Sequence, residues 1–214
     1  MMDLHKSNRF KGLWILAALI VVSLTAACSQ PTPALELTES YESLQSPLTF
    51  QYPAGWETST LPDTSVVVVT REILLQDPND FQPGDCGMIV TTFTPDYLAF
   101  IKESEPDYDS IIQSDPPQAG EVLDLVLKRI SRTADDRRTL DLGGRTVEYA
   151  ILDDIPDDAD ERQIGLLIIA DPNGNYIYMQ PMASKDELKK TCENTILAMA
   201  ETMQSQPAEA QPIQ

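Results

Sequence analysis

One hydrophobic run divides this chain into two unequal parts. The run covers residues 13–27, follows a start with three Lys or Arg, and ends in Ala26-Ala27 directly before Cys28. A basic start, a short apolar middle and small residues at the end are typical of an export signal. The 15 residues of the run would reach only ~22 Å as a helix, short of the ~30 Å hydrocarbon core of a bilayer. We therefore predict that residues 1–27 are a signal peptide rather than a retained membrane span.

The residues at the end of this run match a known sequence motif. Leu24-Thr25-Ala26-Ala27-Cys28 resembles the lipobox of bacterial lipoproteins, although Thr25 stands where a larger aliphatic residue is commoner. The resemblance implies a diacylglyceryl group on Cys28, often with a third acyl chain. Stable anchoring needs more than one chain, because a single acyl chain binds membranes only marginally. Ser29 stands where, by the same resemblance, an aspartate would favour inner-membrane retention. We expect an exported protein, lipid-anchored to a bacterial membrane, the outer one if the cell has two.

Charge and residue content exclude several classes of function. The full chain has 15 Lys and Arg against 34 Asp and Glu, and the part from Cys28 onward has a net charge of −21. Such a surface repels the phosphates of nucleic acid, so no nucleic-acid partner is expected. The single histidine, His5, lies in the leader. A mature chain without histidine excludes Ser-His-Asp and Cys-His catalysis as usually built, and zinc sites that need imidazole.

Two cysteines remain once Cys28 is assigned to lipid. In an oxidising compartment Cys86 and Cys192 either form a disulfide or stay as separate buried thiols, and the sequence leaves both alternatives open. A bridge would close a loop of about a hundred residues, for which chain entropy predicts ~4–5 kcal/mol. Cys192 also lies on the apolar face of a predicted helix, and this position alone would bury it as a free thiol.

Composition divides the chain into four segments. They are the signal peptide 1–27, a lipidated linker 28–46, a folded domain 47–204 and a disordered tail 205–214. The linker is polar and has two prolines near the lipid, although 37–44 has the character of a short ordered segment. The tail has two prolines and no apolar period.

Within the domain, strand patterns alternate with amphipathic helices. Period-two alternation and β-branched runs predict strands at 47–52, 66–69, 88–93, 140–142, 145–152, 164–170 and 176–180. Helices are predicted after Thr94 as an N-cap, from about Gln118 to Ser131, and after a capping box of Ser184 and Glu187. This order favours an α+β domain, in which helices flank an antiparallel sheet.

The start of the domain resembles a known family. The stretch 48–56, Leu-Thr-Phe-Gln-Tyr-Pro-Ala-Gly-Trp, is similar to the Phe-x-aromatic-Pro-x-Gly-Trp opening of PsbP-like domains. The segment Leu140–Arg145, the turn at Asn173-Gly174 and the closing helix fit the same pattern. The resemblance implies an α/β/α sandwich, a fold shared with a Ran-binding relative. Named members are extrinsic photosystem II proteins and many bacterial members have no known activity, so the resemblance implies no site residue.

Carboxylates are the main candidates for site chemistry. An acidic loop follows residue 152, and its candidate calcium ligands are Asp153, Asp154, Asp157 and Asp158. The loop lacks the Asp-x-Asp-x-Asp-Gly spacing of a calcium-binding loop, so a solvated acidic loop is the alternative. Paired carboxylates there, or among Asp77, Asp80 and Asp85, would be general acid–base candidates. No cofactor other than calcium is indicated.

Aromatic and basic residues offer two further candidates. Tyr149, Tyr176 and Tyr178 are strand residues that would form a partner surface if exposed. A basic cluster, either a solvated helix end or a patch for an acidic partner, consists of Lys128, Arg129, Arg132, Arg137 and Arg138.

We expect a non-enzymatic envelope domain that presents a folded surface to a protein partner. The alternatives are a carboxylate- or metal-dependent hydrolase and a carrier of a small apolar ligand between sheet and helix. A deep pocket with converging carboxylates would favour the hydrolase, and a dry, lined cavity would favour the carrier. An exposed apolar patch would favour the interaction module. The sequence does not indicate an oligomeric state.

Overall fold

Two antiparallel sheets carry the fold. The computed structural model describes residues 32–78, 80–152 and 162–207. The strands in these ranges are β1 (Leu37–Glu42), β2 (Leu48–Pro53), β3 (Glu57–Thr60), β4 (Val66–Val69), β5 (Cys86–Phe93), β6 (Ala134–Leu142), β7 (Arg145–Leu152), β8 (Arg162–Ala170), β9 (Tyr176–Ser184) and β10 (Gln204–Ser205). The small sheet has the order β1-β2-β10, and the large sheet has the order β3-β4-β5-β9-β8-β7-β6.

Helices lie between and after the strands. They are α1 (Ile73–Gln76), α2 (Pro95–Ser104), α3 (Tyr108–Ile111), α4 (Ala119–Arg129), a π-helical turn (Leu188–Cys192) and α5 (Glu193–Thr202). Within the described ranges, no helix is both long and apolar enough to cross a membrane. The predicted N-cap of α2 is confirmed, because the Thr94 hydroxyl accepts a hydrogen bond from the Tyr97 N–H at 3.2 Å.

The large sheet is buried on both faces. Successive side chains of a strand point to opposite faces, so Leu167 and Ile169 of β8 face α5 and the small sheet, whereas Leu166 and Ile168 face α2, α3 and α4. All four side chains are at most 1% exposed. Helices thus cover one face, and a helix with a small sheet covers the other. The predicted α+β class, an antiparallel sheet between helical layers, is confirmed.

Order continues on both sides of the segment 47–204: the short ordered segment predicted at 37–44 is present as β1, and β10 extends to residue 205. β1 lies inside the predicted linker 28–46 and pairs with β2, and the Tyr41 and Phe50 rings stack with centroids 4.9 Å apart. Inside the predicted tail 205–214, the N–H of Gln206 donates to the carbonyl that precedes β2 at 2.8 Å. Both segments are polar, and they are held by backbone hydrogen bonds that composition does not reveal.

The last helix begins differently from its prediction. Ser184 does not cap it but ends β9, where it pairs with Arg162 of β8. Sheet pairing therefore prevails over the local capping signal, and Asp186 turns the chain with a left-handed φ of 62° before the π-helical turn. The predicted apolar stripe is confirmed, because all five members are at most 2% exposed: Leu188, Cys192, Ile196, Met199 and Met203.

A disulfide joins the large sheet to the layer that contains α5. Cys86 opens β5, Cys192 ends the π-helical turn, and their sulfurs are 1.97 Å apart with Cα atoms 5.7 Å apart. Of the two alternatives that the sequence leaves open, the structure has the bridge. The predicted lipidation site, Cys28, lies outside the described residues.

Candidate functional site

The carboxylates near Asp85 form a structural clamp. Arg71 contacts both Asp85 carboxylate oxygens, from Nη2 at 2.6 Å and from Nε at 2.9 and 3.0 Å, and its Nη1 reaches Asp80 Oδ2 at 3.3 Å. Burial raises the pKa of Asp85, but hydrogen bonds from Arg71 and from the Gln82 N–H outweigh it and hold this pKa below its ordinary range. A general acid needs a raised pKa, so this carboxylate is suited to holding the loop rather than to proton transfer.

The candidate calcium ligands stay a prediction. Asp153, Asp154, Asp157 and Asp158 lie outside the described residues. In the part of the chain that is described, no group of three or more His, Cys, Asp or Glu side chains is arranged to hold a metal ion.

The basic cluster does not form one patch. Arg137 and Arg138 are neighbours on β6 and point to opposite faces of the sheet. Arg137 pairs with Asp124 of α4 at 2.5 Å, whereas Arg138 pairs with Glu193 of α5 at 2.8 Å. These two arginines therefore fasten the two helical layers to the edge of the sheet.

Two more members of the basic cluster, Lys128 and Arg129, lie at the end of α4, and the half-buried Arg132 follows three residues later. Lys128 pairs with Asp107 at 2.7 Å. Arg129 is exposed and has no ion-pair partner among the described residues. A cation without a local counter-charge is notable in a chain this acidic, because it is available to a carboxylate of another molecule.

The three candidate tyrosines face different layers. Tyr149 is 1% exposed and packs on the α5 side, and Arg138 lies over its ring at 4.6 Å. Tyr176 is 4% exposed on the opposite side of the sheet, and its hydroxyl donates to the Pro117 carbonyl. Tyr178 borders an open apolar surface, where it meets residues of α2 and α4.

An apolar cleft lies beside Tyr178, between α2, α4 and the large sheet. It has a volume of about 250 Å³ and is lined by Phe93, Tyr97, Ile101, Leu125, Val126, Arg129, Ile130 and Tyr178. The rings of Phe93 and Tyr178 are stacked at 5.2 Å, and the rings of Phe93 and Tyr97 are 5.1 Å apart. Three aromatic rings from β5, α2 and β9 thus form one continuous wall.

The rim of the cleft is exposed and apolar. Tyr97 is 41% exposed and Ile130 is 42% exposed, and Phe100, one turn along α2 from Tyr97, is 62% exposed. Large exposed hydrophobic groups that lie together mark interaction sites more often than isolated ones do. Arg129 adds one positive charge at the edge of this apolar surface.

Electrostatics within the cleft favour binding over acid–base chemistry. Burial raises the pKa of Tyr178 to about 12, so its hydroxyl stays protonated at physiological pH. That hydroxyl donates to Gln180 Oε1 at 3.0 Å. Among the described residues that line the cleft, Arg129 alone is charged, and an arginine does not give up its proton in proteins.

A second, larger depression lies along another face of α2. It has a volume of about 590 Å³ and lies between Leu98, Tyr108 and Tyr176. Its Lys102 and Asp109 pair with each other at 2.7 Å. Its lining mixes charged and polar side chains with apolar ones, whereas the smaller cleft has apolar and aromatic side chains beside Arg129, so the smaller cleft is the better candidate for recognition through apolar contact.

The cleft was not among the predicted sites, although one feature of the sequence, an apolar run in α2, indicates an exposed apolar surface. Tyr97–Ile101 is a run of five consecutive apolar residues in α2. At ~100° per residue such a run circles the helix. One face of α2, with the buried Leu98 and Ile101, packs on the sheet. The apolar residues of the run on its other faces must therefore be exposed. That Phe93, Arg129 and Tyr178 meet them is decided by the sheet order.

Comparison with known proteins gives similarity in fold only. No protein-family model matches the chain, and no curated protein sequence matches it. Among solved structures, cyanobacterial PsbP (CyanoP) from Synechocystis shares 14% identity over 83% of this chain and 97% of its own, with a TM-score of 0.48. LpqN of Mycobacterium tuberculosis, described as involved in cell envelope biogenesis, shares 18% identity over 83% of this chain and 91% of its own, with a TM-score of 0.40.

A third similar structure comes from Bacteroides thetaiotaomicron. It shares 10% identity with this chain, with a TM-score of 0.48. The match covers 81% of this chain but only 50% of the length of the other protein. Similarity at this level carries no argument about function. The fold and the cleft define the class instead: an α+β domain with an apolar cleft on one helical layer.

Proposed function

We propose that this protein is a non-enzymatic interaction module of the cell envelope, anchored by lipid at Cys28, whose apolar cleft accepts a segment of a partner protein. The lipobox-like stretch 24–28 supports the anchor and the envelope location. The anchored state is testable by mass spectrometry of the purified protein. We expect an N-terminal acylated Cys28, and an intact, unacylated leader would contradict the proposal.

The observation that carries the proposal is the open aromatic cleft. Phe100, one helical turn from the lining residue Tyr97, is 62% exposed. Covering one side chain of this size typically contributes ~1.5–3 kcal/mol, so an uncovered group of such residues is a source of binding free energy. Arg129 at the edge of the cleft adds a positive charge, which favours a partner with a polar or acidic group at that point. We infer that the partner segment combines an apolar side chain with a neighbouring carboxylate.

The size of the cleft favours a protein segment over a small ligand. Pockets for small molecules usually measure ~300–1,000 Å³ and bury most of the ligand. The cleft, at about 250 Å³ and open to solvent, is smaller and accommodates one or two side chains. The carrier alternative is therefore less well supported. For the hydrolase alternative, the described ranges hold no group of three or more His, Cys, Asp or Glu side chains arranged for a metal ion, and Asp80 and Asp85 are engaged by Arg71.

The test is site-specific photocross-linking in native membranes. A benzophenone amino acid replaces Phe100 at the cleft or Leu61 at the β3–β4 turn, an apolar residue that is also exposed, at 37%. We expect a discrete protein adduct from position 100 that is absent from position 61. Arg129→Glu should reduce its yield, because the charge beside the cleft is reversed.

Other outcomes of this experiment contradict the proposal. The absence of an adduct at position 100, or the same adducts from both positions, would show that the cleft is not a binding surface. An adduct of lipid-like mass would instead support the carrier alternative. Circular dichroism of each variant shows whether it is folded.

A further inference from the structure

We propose that the α5 side of the domain lies next to the membrane surface and that the aromatic cleft faces away from it. The proposal rests on the lipid anchor at Cys28 in the proposed function. It concerns which surface meets the lipid headgroups, and it follows from where the ordered chain begins.

The start of the described chain is fastened to the last helix. The Thr32 N–H donates to the Lys190 carbonyl at 3.1 Å, and the Asn194 side-chain amide donates to the Thr32 carbonyl at 2.6 Å. Three residues later, the Leu35 N–H donates to Thr195 Oγ1 at 3.0 Å. The chain from Thr32 onward is therefore part of the domain and does not lengthen the tether.

The contact with Asn194 lies on the outer side of α5. Cys192 and Ile196 belong to the buried stripe that faces the sheet. Asn194 lies two residues from each of them, which is ~200° around the helix axis. The described chain therefore begins, at Thr32, on the surface of α5 that points away from the large sheet.

The tether that remains is short. Cys28 and Thr32 are four residues apart, a span of at most ~14 Å when fully extended. The layer of α5, the large sheet and the layer of α4 are spaced by ~10 Å each. Turning the cleft onto the bilayer would place the attachment point at least ~20 Å from the membrane by the same spacing, which is more than the ~14 Å that the tether can span.

The orientation predicts which surface a membrane-bound quencher reaches. Lys190 and Glu103 are both exposed. Lys190 contacts Thr32, where the described chain begins, and Glu103 lies on α2. A fluorophore is placed on Lys190→Cys or Glu103→Cys of the mature lipidated protein, bound to phosphatidylcholine vesicles that carry a nitroxide on their headgroups. We expect several-fold stronger quenching at position 190 than at position 103.

Two matched variants complete the experiment. Cys28→Ser should abolish quenching at both positions, which shows that quenching requires the anchor. A flexible Gly/Ser insertion of about twenty residues after Ser29, with a root-mean-square span of ~25 Å, should bring the two signals closer together, because the longer tether lets the domain turn.

The outcomes separate this proposal from the one it rests on. If the mature protein does not bind vesicles, the anchor fails and the orientation fails with it. If it binds and both positions are quenched equally, or position 103 more strongly, the anchor stands and the orientation is overturned.

Discussion

Arg71 and Asp85 show how single residues hold this fold together. Asp85 is 6% exposed, and besides Arg71 it accepts hydrogen bonds from the Thr70 hydroxyl at 3.2 Å and the Gln82 N–H at 2.8 Å. A buried carboxylate is costly unless its oxygens are all satisfied. Here four donor groups satisfy it, and together they close the loop that leads from α1 into β5.

Removal of this charge should destabilise the protein in a pH-dependent way. Asp85→Asn should lower the free energy of unfolding by ~2 kcal/mol at pH 7, because the hydrogen bonds to a charged group are lost. The folded-state pKa of Asp85 lies below its ordinary value. Its contribution is thus present above pH ~4 and is lost as the pH falls through the lower folded-state pKa.

Urea unfolding at pH 7, 5 and 3 measures this effect. The difference between wild type and Asp85→Asn should be similar at pH 7 and 5 and smaller at pH 3. Glu103→Gln, at an exposed position of α2, is the control and should change little at any pH. A difference that stays constant down to pH 3 would contradict the assignment.

At the scale of elements, the disulfide connects parts of the chain that local structure cannot connect. Cys86 in β5 and Cys192 after β9 are 106 residues apart. β5 and β9 are neighbours in the sheet, and the π-helical turn follows β9 directly. The bridge therefore fixes how the last helix sits on the sheet.

Thiol titration and unfolding test the bridge. In a Cys28→Ser background, we expect no free thiol in the unfolded, unreduced protein, and two free thiols would rule the bridge out. Replacing both Cys86 and Cys192 by alanine should lower the free energy of unfolding by ~3–5 kcal/mol, because the long loop is no longer closed in the unfolded state. Reduced wild type should match this double variant.

Arg145 shows a second connection between elements. It extends from β7 to the end of α5, where its Nη2 donates to the Ala200 and Glu201 carbonyls at 2.8 Å each. Carbonyls at the end of a helix lack partners within the helix, and a cation there also complements the helix dipole. An arginine of the sheet thus completes a helix that has no basic residue in its last turn.

At the scale of the whole molecule, charge is strongly unbalanced. The chain from Cys28 onward carries 33 Asp and Glu against 12 Lys and Arg. Several of these basic residues already pair with carboxylates, as Arg71, Arg137 and Arg138 do. The excess of negative charge repels itself and disfavours the compact state at low ionic strength.

Salt should therefore stabilise this protein. Between 0.01 and 0.15 M salt the Debye length falls from ~30 to ~8 Å, which screens repulsion across the surface more than it weakens short, partly buried ion pairs. We expect the melting temperature to rise by a few degrees, equivalent to ~1 kcal/mol. Sodium and potassium chloride should act alike, and an unchanged or lower melting temperature would contradict a dominant role of repulsion.

Local patterns in the sequence predict much of the architecture. Val66–Val69, the N-cap Thr94 and the apolar stripe of the last helix have the structures that their patterns indicate. Period and capping are local properties, so they can be read from neighbouring residues. The same locality explains what the patterns did not show: the polar β10 is ordered by pairing with β2, and Ser184 is held in β9 by partners distant in the sequence.

The candidate site depends on tertiary structure to a greater degree than the helices and strands do. From the sequence alone it follows that the chain is acidic, has no histidine after His5 and alternates strand patterns with helix patterns. The sequence also placed Tyr178 on a strand, but it could not place this residue opposite Phe93 and Tyr97. That meeting requires β5 beside β9, which are separated by more than eighty residues, and such long-range pairing is fixed only when the whole core is formed.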